Sequence, residues 1–361
     1  MGDYKSILIL ADVNSSHTKK WVSSLARHYR ISLFSLSESR DNWPDEMCTH
    51  FASVQIADEK ARSKNTAAKY IYLKAARQLK KFAFKVQPDI VHAHYATSYG
   101  MLARKLSHNP TVISVWGSDI MDFPKRSIVH KYFLKRILNR ASIICSTSKS
   151  MTQELAKYGY KNTKTIPFGV DLTVFQSTLK ANPVFTIGTV KSLEKTYGID
   201  LLIKVYHEYL KTSTITSQLV IYGKGSQEDD LKNLVNELNL TNNVKFMGFI
   251  PYAEVVKAYE ALDVYCAFSR RESFGVSVLE AQACGLPVVC SDVGGLPEVV
   301  DPESGRLYSI DSIANASQRL LELEDGELRE KSRVGARAFV KKQYAWQNSI
   351  IAMRKIYDSI A

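Results

Sequence analysis

The stretch SRRESFGVSVLEAQACGLPVVCSDVGGLPEVV, residues 269–300, decides how the rest of the chain is interpreted. Residues 269–275 read as a polar, glycine-containing loop, and residues 276–284 follow at helical spacing. Gly285 and Pro287 are residue types that commonly end a helix. A short apolar strand at 288–290 comes next, and a second tight loop begins at 294–295. This order of loop, helix, strand and loop is typical of an α/β protein.

Two carboxylates stand in this stretch, Glu272 in the loop and Glu280 about one turn inside the helix. Free backbone N–H groups at a helix N-terminus form a site for a phosphate or diphosphate. Carboxylates beside such a site suit a ligand with phosphates and many hydroxyls, such as a nucleotide sugar. A bare pair of glutamates also occurs on ordinary surface helices, and it is the surrounding residues that favour a ligand. The residues that offer the N–H groups are Ser273, Phe274, Gly275 and Val276.

As a whole, residues 272–300 resemble the donor-site signature of retaining GT-B glycosyltransferases of family 4, the glycosyltransferase group 1 superfamily. The resemblance extends through most of the chain. It implies an α/β GT-B fold, in which two Rossmann-like domains face each other across a cleft. It also implies transfer of a sugar from a nucleoside diphosphate sugar with retention of anomeric configuration. The donor would bind mainly to the second domain and the acceptor to the first.

The resemblance also implies roles for residues of the second half. Glu280 would accept hydrogen bonds from ribose hydroxyls, and Glu272 would hold hydroxyls of the transferred sugar. Family members typically carry an Arg and a Lys that contact the donor diphosphate from the loop after the first strand of this half. In this chain both residues are lysines, and the loop is two residues longer than in those relatives. Lys191 and Lys195 are therefore expected to stabilise the leaving diphosphate. The remaining donor-binding candidates are Gly223 in a Gly-Lys-Gly loop and Ile250 in a turn where relatives hold the nucleobase.

Three candidates lie in the first half, where this chain departs from the family pattern. His17 and His94 are the candidates for acceptor contacts, and Asp119 is a candidate ligand of a hydroxyl. Many relatives carry Gly-Gly in the loop that here reads Ser15-Ser16, and His where this chain has Trp116. His92 and His94 fall on one face of a strand. No further ligands are spaced to complete a metal site with them.

The catalytic chemistry is expected to need neither a metal nor another cofactor. The sequence contains no Asp-x-Asp, the usual metal-binding motif of the other major glycosyltransferase fold. Lysines and a helix N-terminus can instead supply the positive charge that a divalent ion would give. No residue stands out as an enzymatic nucleophile. Relatives are usually described as using a front-face mechanism, in which the donor phosphate takes the acceptor proton.

Composition places the chain among globular proteins. It has 361 residues, 45% hydrophobic and 23% charged, with no apolar run of membrane-spanning length and no secretory signal at its start. Its five cysteines form no C-x-x-C pair, and four of them have apolar neighbours. We therefore expect reduced thiols and a cytoplasmic protein.

Charge is unevenly distributed. Residues 1–180 carry 28 Lys and Arg against 13 Asp and Glu, a net of +15, whereas residues 181–361 carry 20 against 23, a net of −3. An anionic membrane surface, an acidic glycan or nucleic acid would each suit the basic half. Basic residues alternate with apolar ones at 60–85 and 123–140. These stretches read either as ordinary amphipathic helices or as a peripheral membrane patch on the inner face of a membrane.

The predicted domains are residues 1–177, joined by a C-terminal helix at 346–361, and residues 183–345. The favoured function is a retaining glycosyltransferase that uses a UDP-sugar in polysaccharide biosynthesis, with a lipid-linked or growing surface glycan as acceptor. Alternatives are a GT-B nucleotide-sugar epimerase and a transferase acting on a small soluble acceptor. A nucleic-acid-binding protein is a distant alternative, because no recognised nucleic-acid module appears.

Overall fold

The computed structural model describes residues 4–54, 66–106, 109–176 and 182–360, with the side chains of residues 66–71 left aside. The chain divides into two compact units, Met1–Ile166 with Ile350–Ala361, and Pro167–Ser349. The division after residue 166 falls before the boundary at 177 that the sequence suggested. Part of the suggested linker, residues 177–181, lies outside the described residues.

The first unit is built on a seven-stranded, fully parallel sheet with the order β3-β2-β1-β4-β5-β6-β7. Its strands are β1 Ser6–Leu10, β2 Arg30–Ser35, β3 His50–Ser53, β4 Ile90–His94, β5 Thr111–Ser114, β6 Ile143–Ser146 and β7 Lys164–Thr165. Its helices are α1 Ser16–Leu25, α2 Trp43–Met47, α3 Thr66–Val86, α4 Met101–Ala103, α5 Ser118–Met121, α6 Ile128–Leu138 and α7 Lys149–Lys157.

The second unit repeats this plan with a six-stranded parallel sheet in the order β10-β9-β8-β11-β12-β13. Its strands are β8 Phe185–Val190, β9 Ser217–Tyr222, β10 Val244–Gly248, β11 Val264–Ala267, β12 Val288–Ser291 and β13 Arg306–Tyr308. Its helices are α8 Ile199–Leu210, α9 Glu228–Glu237, α10 Val255–Glu260, α11 Val276–Ala283, α12 Leu296–Val299, α13 Ile313–Glu322 and α14 Gly326–Gln343, and the last helix of the chain is α15 Trp346–Ile360.

Both sheets place their first and fourth strands side by side, and the order reverses at that point. In a doubly wound sheet, ligands bind beyond the carboxyl ends of the strands at this reversal. The predicted α/β fold of two Rossmann-like units is therefore confirmed, and its topology marks one place in each unit where a ligand site is expected.

The central strands read as apolar runs because helices cover both faces of each sheet, whereas the edge strands β3, β7 and β10 are only partly buried. The central strand β1, for example, is buried along its whole length. Within the first unit, the strands and helices α3, α4, α6 and α7 share one hydrophobic cluster. Among the described residues, no helix combines the length and apolarity needed to cross a lipid bilayer. Four of the five free cysteines are buried, and Cys48 is partly exposed.

The last helix, α15, belongs to the first unit from residue 350 onward. The Tyr357 hydroxyl lies 2.6 Å from Nδ1 of His92 on β4, and Nε2 of His92 lies 2.8 Å from the Ser114 hydroxyl. Both ring nitrogens of His92 thus have partners. This histidine is part of the core that fastens the C-terminal helix to the first sheet.

Candidate active site

A cavity of about 320 Å³ lies in the second unit, at the carboxyl ends of β8, β9 and β10. A glycine at the end of β9 lets the backbone close around it. Gly223 has a φ of 140°, and a Cβ there would lie 1.9 Å from the carbonyl oxygen of Lys191. The cavity is lined by Val190, Lys191, Ser192, Tyr222, Gly223, Lys224, Phe249, Ile250, Tyr252, Val255, Tyr259, Ser277 and Glu280.

The carboxylate of Glu280 is held from two sides. Its side chain points from α11, where the residue is only 7% exposed. The Tyr259 hydroxyl donates to Oε2 at 3.0 Å, and the Tyr252 hydroxyl donates to Oε1 at 3.3 Å. Burial, followed by the nearby Glu280 charge, raises the pKa of both tyrosines, so they stay protonated donors. An oriented carboxylate in a cavity wall is suited to accept hydrogen bonds from ligand hydroxyls.

Lys191 forms a buried ion pair with Glu272. The Lys191 ammonium donates to Oε2 of Glu272 at 2.6 Å, and both side chains are almost entirely shielded from solvent. Burial alone would lower the pKa of Lys191, but the charge of Glu272 and its hydrogen bond raise the pKa above the usual range. Lys191 therefore stays a cation, and its position at the end of β8 brings that charge into the cavity wall.

The loop that carries Glu272 is packed against the second glycine loop. Gly294 has a φ of 57°, and a Cβ there would lie 1.9 Å from the carbonyl oxygen of Glu272. The Gly295 N–H donates to the same oxygen at 3.0 Å. Gly294 and Gly295 are thus both required for close backbone approach. They fix the position of Glu272 and of the α11 N-terminus that follows.

The N-terminus of α11 begins at Gly275, whose φ of 106° suits glycine, and no side chain caps it. The Phe274 ring is buried against Phe168 and Tyr344, with centroids 6.1 and 6.0 Å apart. Its side chain is therefore part of the core, and only its backbone can serve a ligand. Of the first turn of α11, Ser277 lines the cavity, whereas the predicted donor-binding residues 273–276, which precede it in the chain, are not part of the cavity lining.

The structure separates the two lysines of the predicted pair. Lys191 lines the cavity, whereas the Lys195 side chain is exposed and lies outside the cavity lining. The Lys195 carbonyl accepts from Arg270 at 2.9 Å, and Arg270 also forms two 2.7 Å bonds to Asp200. Arg270 therefore ties the lysine loop to the Glu272 loop.

Several contributors to this site were missed by sequence reasoning. Tyr252 and Tyr259 hold Glu280, and Lys224 adds a second cation to the cavity lining. The sequence signal for Lys224 is its position between the two glycines of the Gly-Lys-Gly loop, of which the sequence analysis named only Gly223. No spacing in the sequence connects the two tyrosines to a glutamate more than twenty residues away.

The first unit has its own cavity of about 480 Å³, at the carboxyl ends of β1, β2, β4 and β5. It is lined mainly by rings and hydroxyls. Tyr95, in its wall, has a φ of 73°, a strained value for a non-glycine residue, and begins a π-helical turn. Such features concentrate at functional sites. The lining residues are Asp12, Ser15, Leu36, Ser37, Tyr72, His94, Tyr95, Ser98, Tyr99 and Trp116.

His94 lies in this wall, is 1% exposed, and has no hydrogen-bond partner for either ring nitrogen among the described residues. Its ring packs on Trp116 with centroids 4.8 Å apart, and His17 meets the same indole edge-on at 5.8 Å. Burial holds the pKa of His94 well below its usual range and lowers the pKa of His17 to about 4. Both rings are therefore neutral at pH 7.

Asp119 is fully buried and acts on the backbone. Its Oδ2 accepts from the Ala96 N–H at 2.9 Å, and its Oδ1 accepts from the N–H groups of Gly117 and Trp116 at 2.9 and 3.2 Å. Burial raises its pKa, and these bonds oppose the rise. The sequence suggested a direct ligand contact. In the structure, Asp119 instead joins the strained Tyr95 turn to the Trp116 loop, which are two walls of the cavity.

Two doubly wound parallel sheets, the second with a cavity lined by Lys191, Lys224 and Glu280, are the arrangement found in GT-B glycosyltransferases. Two family models match the chain, glycosyl transferases group 1 over residues 172–339 and glycosyl transferase 4-like over residues 6–148. The chain belongs to the group 1 glycosyltransferases. The predicted family is therefore confirmed, and each model covers most of one unit.

Individual proteins agree with this assignment. D-inositol 3-phosphate glycosyltransferase of Corynebacterium aurimucosum is 27% identical, over 76% of this chain and 72% of that protein. Sucrose-phosphate synthase of Thermosynechococcus elongatus superposes with a TM-score of 0.82 at 19% identity, over 98% of both chains. HepE of Anabaena in complex with UDP superposes with a TM-score of 0.79 at 17% identity, over 98% of this chain and 100% of that one. The structural likenesses support the fold.

Proposed function

We propose that the protein transfers a sugar from a nucleoside diphosphate sugar to a hydroxyl acceptor, with retention of configuration and without a metal ion. The observation that carries this proposal is the second-unit cavity, whose wall contains a buried lysine cation, an oriented carboxylate and Ser277 from the first turn of a helix without a side-chain cap. These are the groups that a diphosphate and a ribose need in one place.

The roles follow from position. Glu280 accepts hydrogen bonds from the ribose hydroxyls, and Gly223 and Ile250 border the nucleoside. Glu272 holds hydroxyls of the transferred sugar, which brings them beside Lys191. Lys191, with the N–H groups of residues 273–276, stabilises the negative charge that develops on the leaving diphosphate. Lys195 is assigned a weaker part in the same stabilisation, because its side chain is exposed.

In the proposed reaction the acceptor oxygen forms a bond to the anomeric carbon as the bond from that carbon to the diphosphate oxygen breaks. The acceptor proton passes to the departing phosphate oxygen, on the same face of the sugar. This route uses no enzymatic nucleophile. It is consistent with His94 and His17 in the first unit, because their lowered pKa makes both rings weak bases that can orient a hydroxyl rather than remove its proton.

Among the described residues, no cluster of three or more His, Cys, Asp or Glu side chains is arranged to hold a metal ion. What supports metal independence is the positive charge already present, from Lys191 and the α11 N-terminus. Transfer is therefore expected to continue in EDTA. Complete loss of transfer in EDTA, restored by magnesium or manganese, would contradict this part of the proposal.

A UDP-sugar is the favoured donor, in keeping with the HepE complex with UDP. We favour a glycan or lipid-linked acceptor. A small soluble acceptor is the second candidate, because the Corynebacterium relative is named for D-inositol 3-phosphate. A panel of UDP-, GDP- and ADP-sugars, read by hydrolysis and calorimetry, tests the donor. Proton NMR of the product then shows whether the anomeric configuration is retained. Binding of no nucleoside diphosphate would overturn the assignment of the cavity.

A further inference from the structure

Helix α6 leaves a row of large apolar side chains in solvent. Its inner face is ordinary, since Leu134, Ile137 and Leu138 are at most 2% exposed and belong to the unit's core. Its outer face is unusual, because four of the eleven residues of the helix are large, apolar and about half or more exposed to solvent. The exposed fractions are 87% for Ile128, 59% for Val129, 57% for Tyr132 and 49% for Phe133.

These four residues lie at positions i, i+1, i+4 and i+5, which fall on one side of an α-helix. Packing against the sheet explains the inner row but leaves the outer row unexplained. Scattered exposed apolar residues are normal on protein surfaces. A contiguous row of four on one helix is instead a mark of an interaction surface.

The segment that contains this row is rich in basic residues, although Glu154 on α7 pairs with one of them, Lys125. Residues 123–140 contain six Lys and Arg and no Asp or Glu. Lys131, Lys135 and Arg136 are exposed on α6 itself, and the Arg136 guanidinium lies over the Tyr132 ring at 5.8 Å. Apolar side chains surrounded by cations suit a partner that has an apolar interior beneath an anionic surface layer.

Helix α3, which lies in the same helical layer as α6, also has exposed apolar residues among basic ones. Its Leu79 and Ala83 share the core cluster of Leu134 and Ile137, so both helices cover the same side of the sheet. Leu73 and Phe84, 61% and 80% exposed, lie on its outer side. Residues 66–86 contain six Lys and Arg and no acidic residue. The segment 60–65 of the basic stretch noted in the sequence lies outside the described residues.

We propose that this outer layer, with the α6 row Ile128, Val129, Tyr132 and Phe133 at its centre, binds the surface of an anionic phospholipid membrane. The apolar side chains would enter the boundary between headgroups and acyl chains, and the surrounding cations would contact lipid phosphates. A tyrosine in this row is suited to the interface, where its ring is apolar and its hydroxyl remains hydrated. Nucleic acid would use the cations but offers no apolar phase for Ile128 and Val129.

This surface is independent of the proposed transfer reaction, and the experiment measures it without turnover. The full chain is co-sedimented with vesicles of phosphatidylcholine, alone or with roughly one third phosphatidylglycerol, at low and at 1 M salt. We expect binding to the anionic vesicles at least tenfold stronger than to the neutral ones, and weaker at high salt because charge is screened. Equal partitioning to both vesicle types, or none at low salt, would overturn the proposal.

Matched variants separate the apolar row from the charge. Ile128→Ser with Phe133→Ser should weaken binding to anionic vesicles about tenfold, and the exposure of these residues should keep the melting temperature unchanged. Val334→Ser is the control, since Val334 is 66% exposed on α14 of the other unit. Lys131→Glu with Lys135→Glu should also weaken binding, against Lys341→Glu with Lys342→Glu as the charge control.

Insertion has its own readout. Val129→Trp in vesicles of brominated phospholipid should be quenched, whereas Val334→Trp should not. Unquenched fluorescence of bound Val129→Trp would overturn the insertion. The proposal would also be overturned if Ile128→Ser with Phe133→Ser bound anionic vesicles as strongly as the unchanged protein and the protein bound an oligonucleotide tightly. That result would identify a basic surface for nucleic acid.

Discussion

The two cavities occupy equivalent places in two similar sheets and are lined by opposite chemistry. In the second unit the lining includes Lys191, Lys224 and Glu280, with the Lys191–Glu272 ion pair at its edge. In the first unit Asp12 is the one formally charged residue of the described lining, and the other polar groups are neutral rings and hydroxyls. Topology therefore gives each unit a cavity at the carboxyl ends of its strands, and the side chains give the two cavities different chemistry.

The contrast suggests a division of work in the proposed reaction. Charge develops on the leaving diphosphate, so the cations belong in the donor cavity, where they are most effective in a shielded environment. The group of the acceptor that reacts is an uncharged hydroxyl. Aromatic walls and uncharged imidazoles suit it, because sugar rings pack on aromatic faces and hydroxyls need weak donors and acceptors.

The largest expected effect is at the buried cation. Lys191→Met should lower kcat by about 10²–10³, the usual result of removing one group that stabilises transition-state charge. Lys195→Met, in the same loop but exposed, should cost less than about tenfold by the same reasoning. Steady-state kinetics on both, with circular dichroism for folding, makes the comparison. A larger loss at Lys195 would reverse the assignment of the two lysines.

The next effect concerns nucleotide affinity. Glu280→Ala should weaken nucleotide binding by about 1.5–3 kcal/mol, because a charge-assisted hydrogen bond to the ribose is lost. Calorimetry with UDP and with GDP measures it. Tyr259→Phe, which removes one of the donors that orient Glu280, should show a smaller loss. Unchanged affinity in Glu280→Ala for the nucleotide that binds would mean that Glu280 is not the ribose ligand.

Acid should weaken the first unit before the second. Burial lowers the pKa of His92 from 6.5 to about 3, and the pKa of His94 shifts in the same direction. Below pH 6.5 the unfolded chain takes up protons that the folded unit refuses, so stability falls as pH falls from 6.5 toward 3. His92 alone should cost about 2 kcal/mol at pH 5.

Hydrogen exchange followed by mass spectrometry distinguishes the units. Peptides covering β4 should lose protection between pH 7 and pH 5 after correction for intrinsic exchange, and peptides covering β11 should lose less. The second unit provides the comparison because its sole histidine is His207. Equal loss in both units would show that the buried histidines do not govern acid stability.

The smallest effect is expected at the aromatic wall. Trp116→Ala should raise the acceptor KM by a few-fold to about tenfold, since an aromatic contact contributes about 0.5–1.5 kcal/mol. Donor affinity should stay the same, and Trp116→Phe should recover most of the loss. If Trp116→Ala instead changed only nucleotide affinity, the first-unit cavity would not be the acceptor site.

The comparison of units also shows how far sequence patterns reach. In the second unit the opening stretch alone indicated the loop, the helix and the two glutamates, because backbone requirements at glycines and a helix N-terminus are local. Gly294 and Gly295 were noticed as a tight loop, and the structure gives the reason, which is contact with the Glu272 carbonyl. In the first unit the sequence predicts Asp119 as a ligand group, and the structure shows it bonded to three backbone N–H groups.

The sequence by itself determined the fold class, the family, the charge asymmetry and the position of the stretch that resembles a donor-site signature. Fold class and motif position depend on periodicity and glycine placement, which can be recognised within a few residues. Charge asymmetry depends on the composition of each half of the chain. Tertiary structure alone decided that Lys191 rather than Lys195 faces the cavity, that two tyrosines orient Glu280, and that four apolar residues of α6 remain in solvent. Each of these depends on which residues the folded sheet brings together, and no local spacing records such long-range contacts.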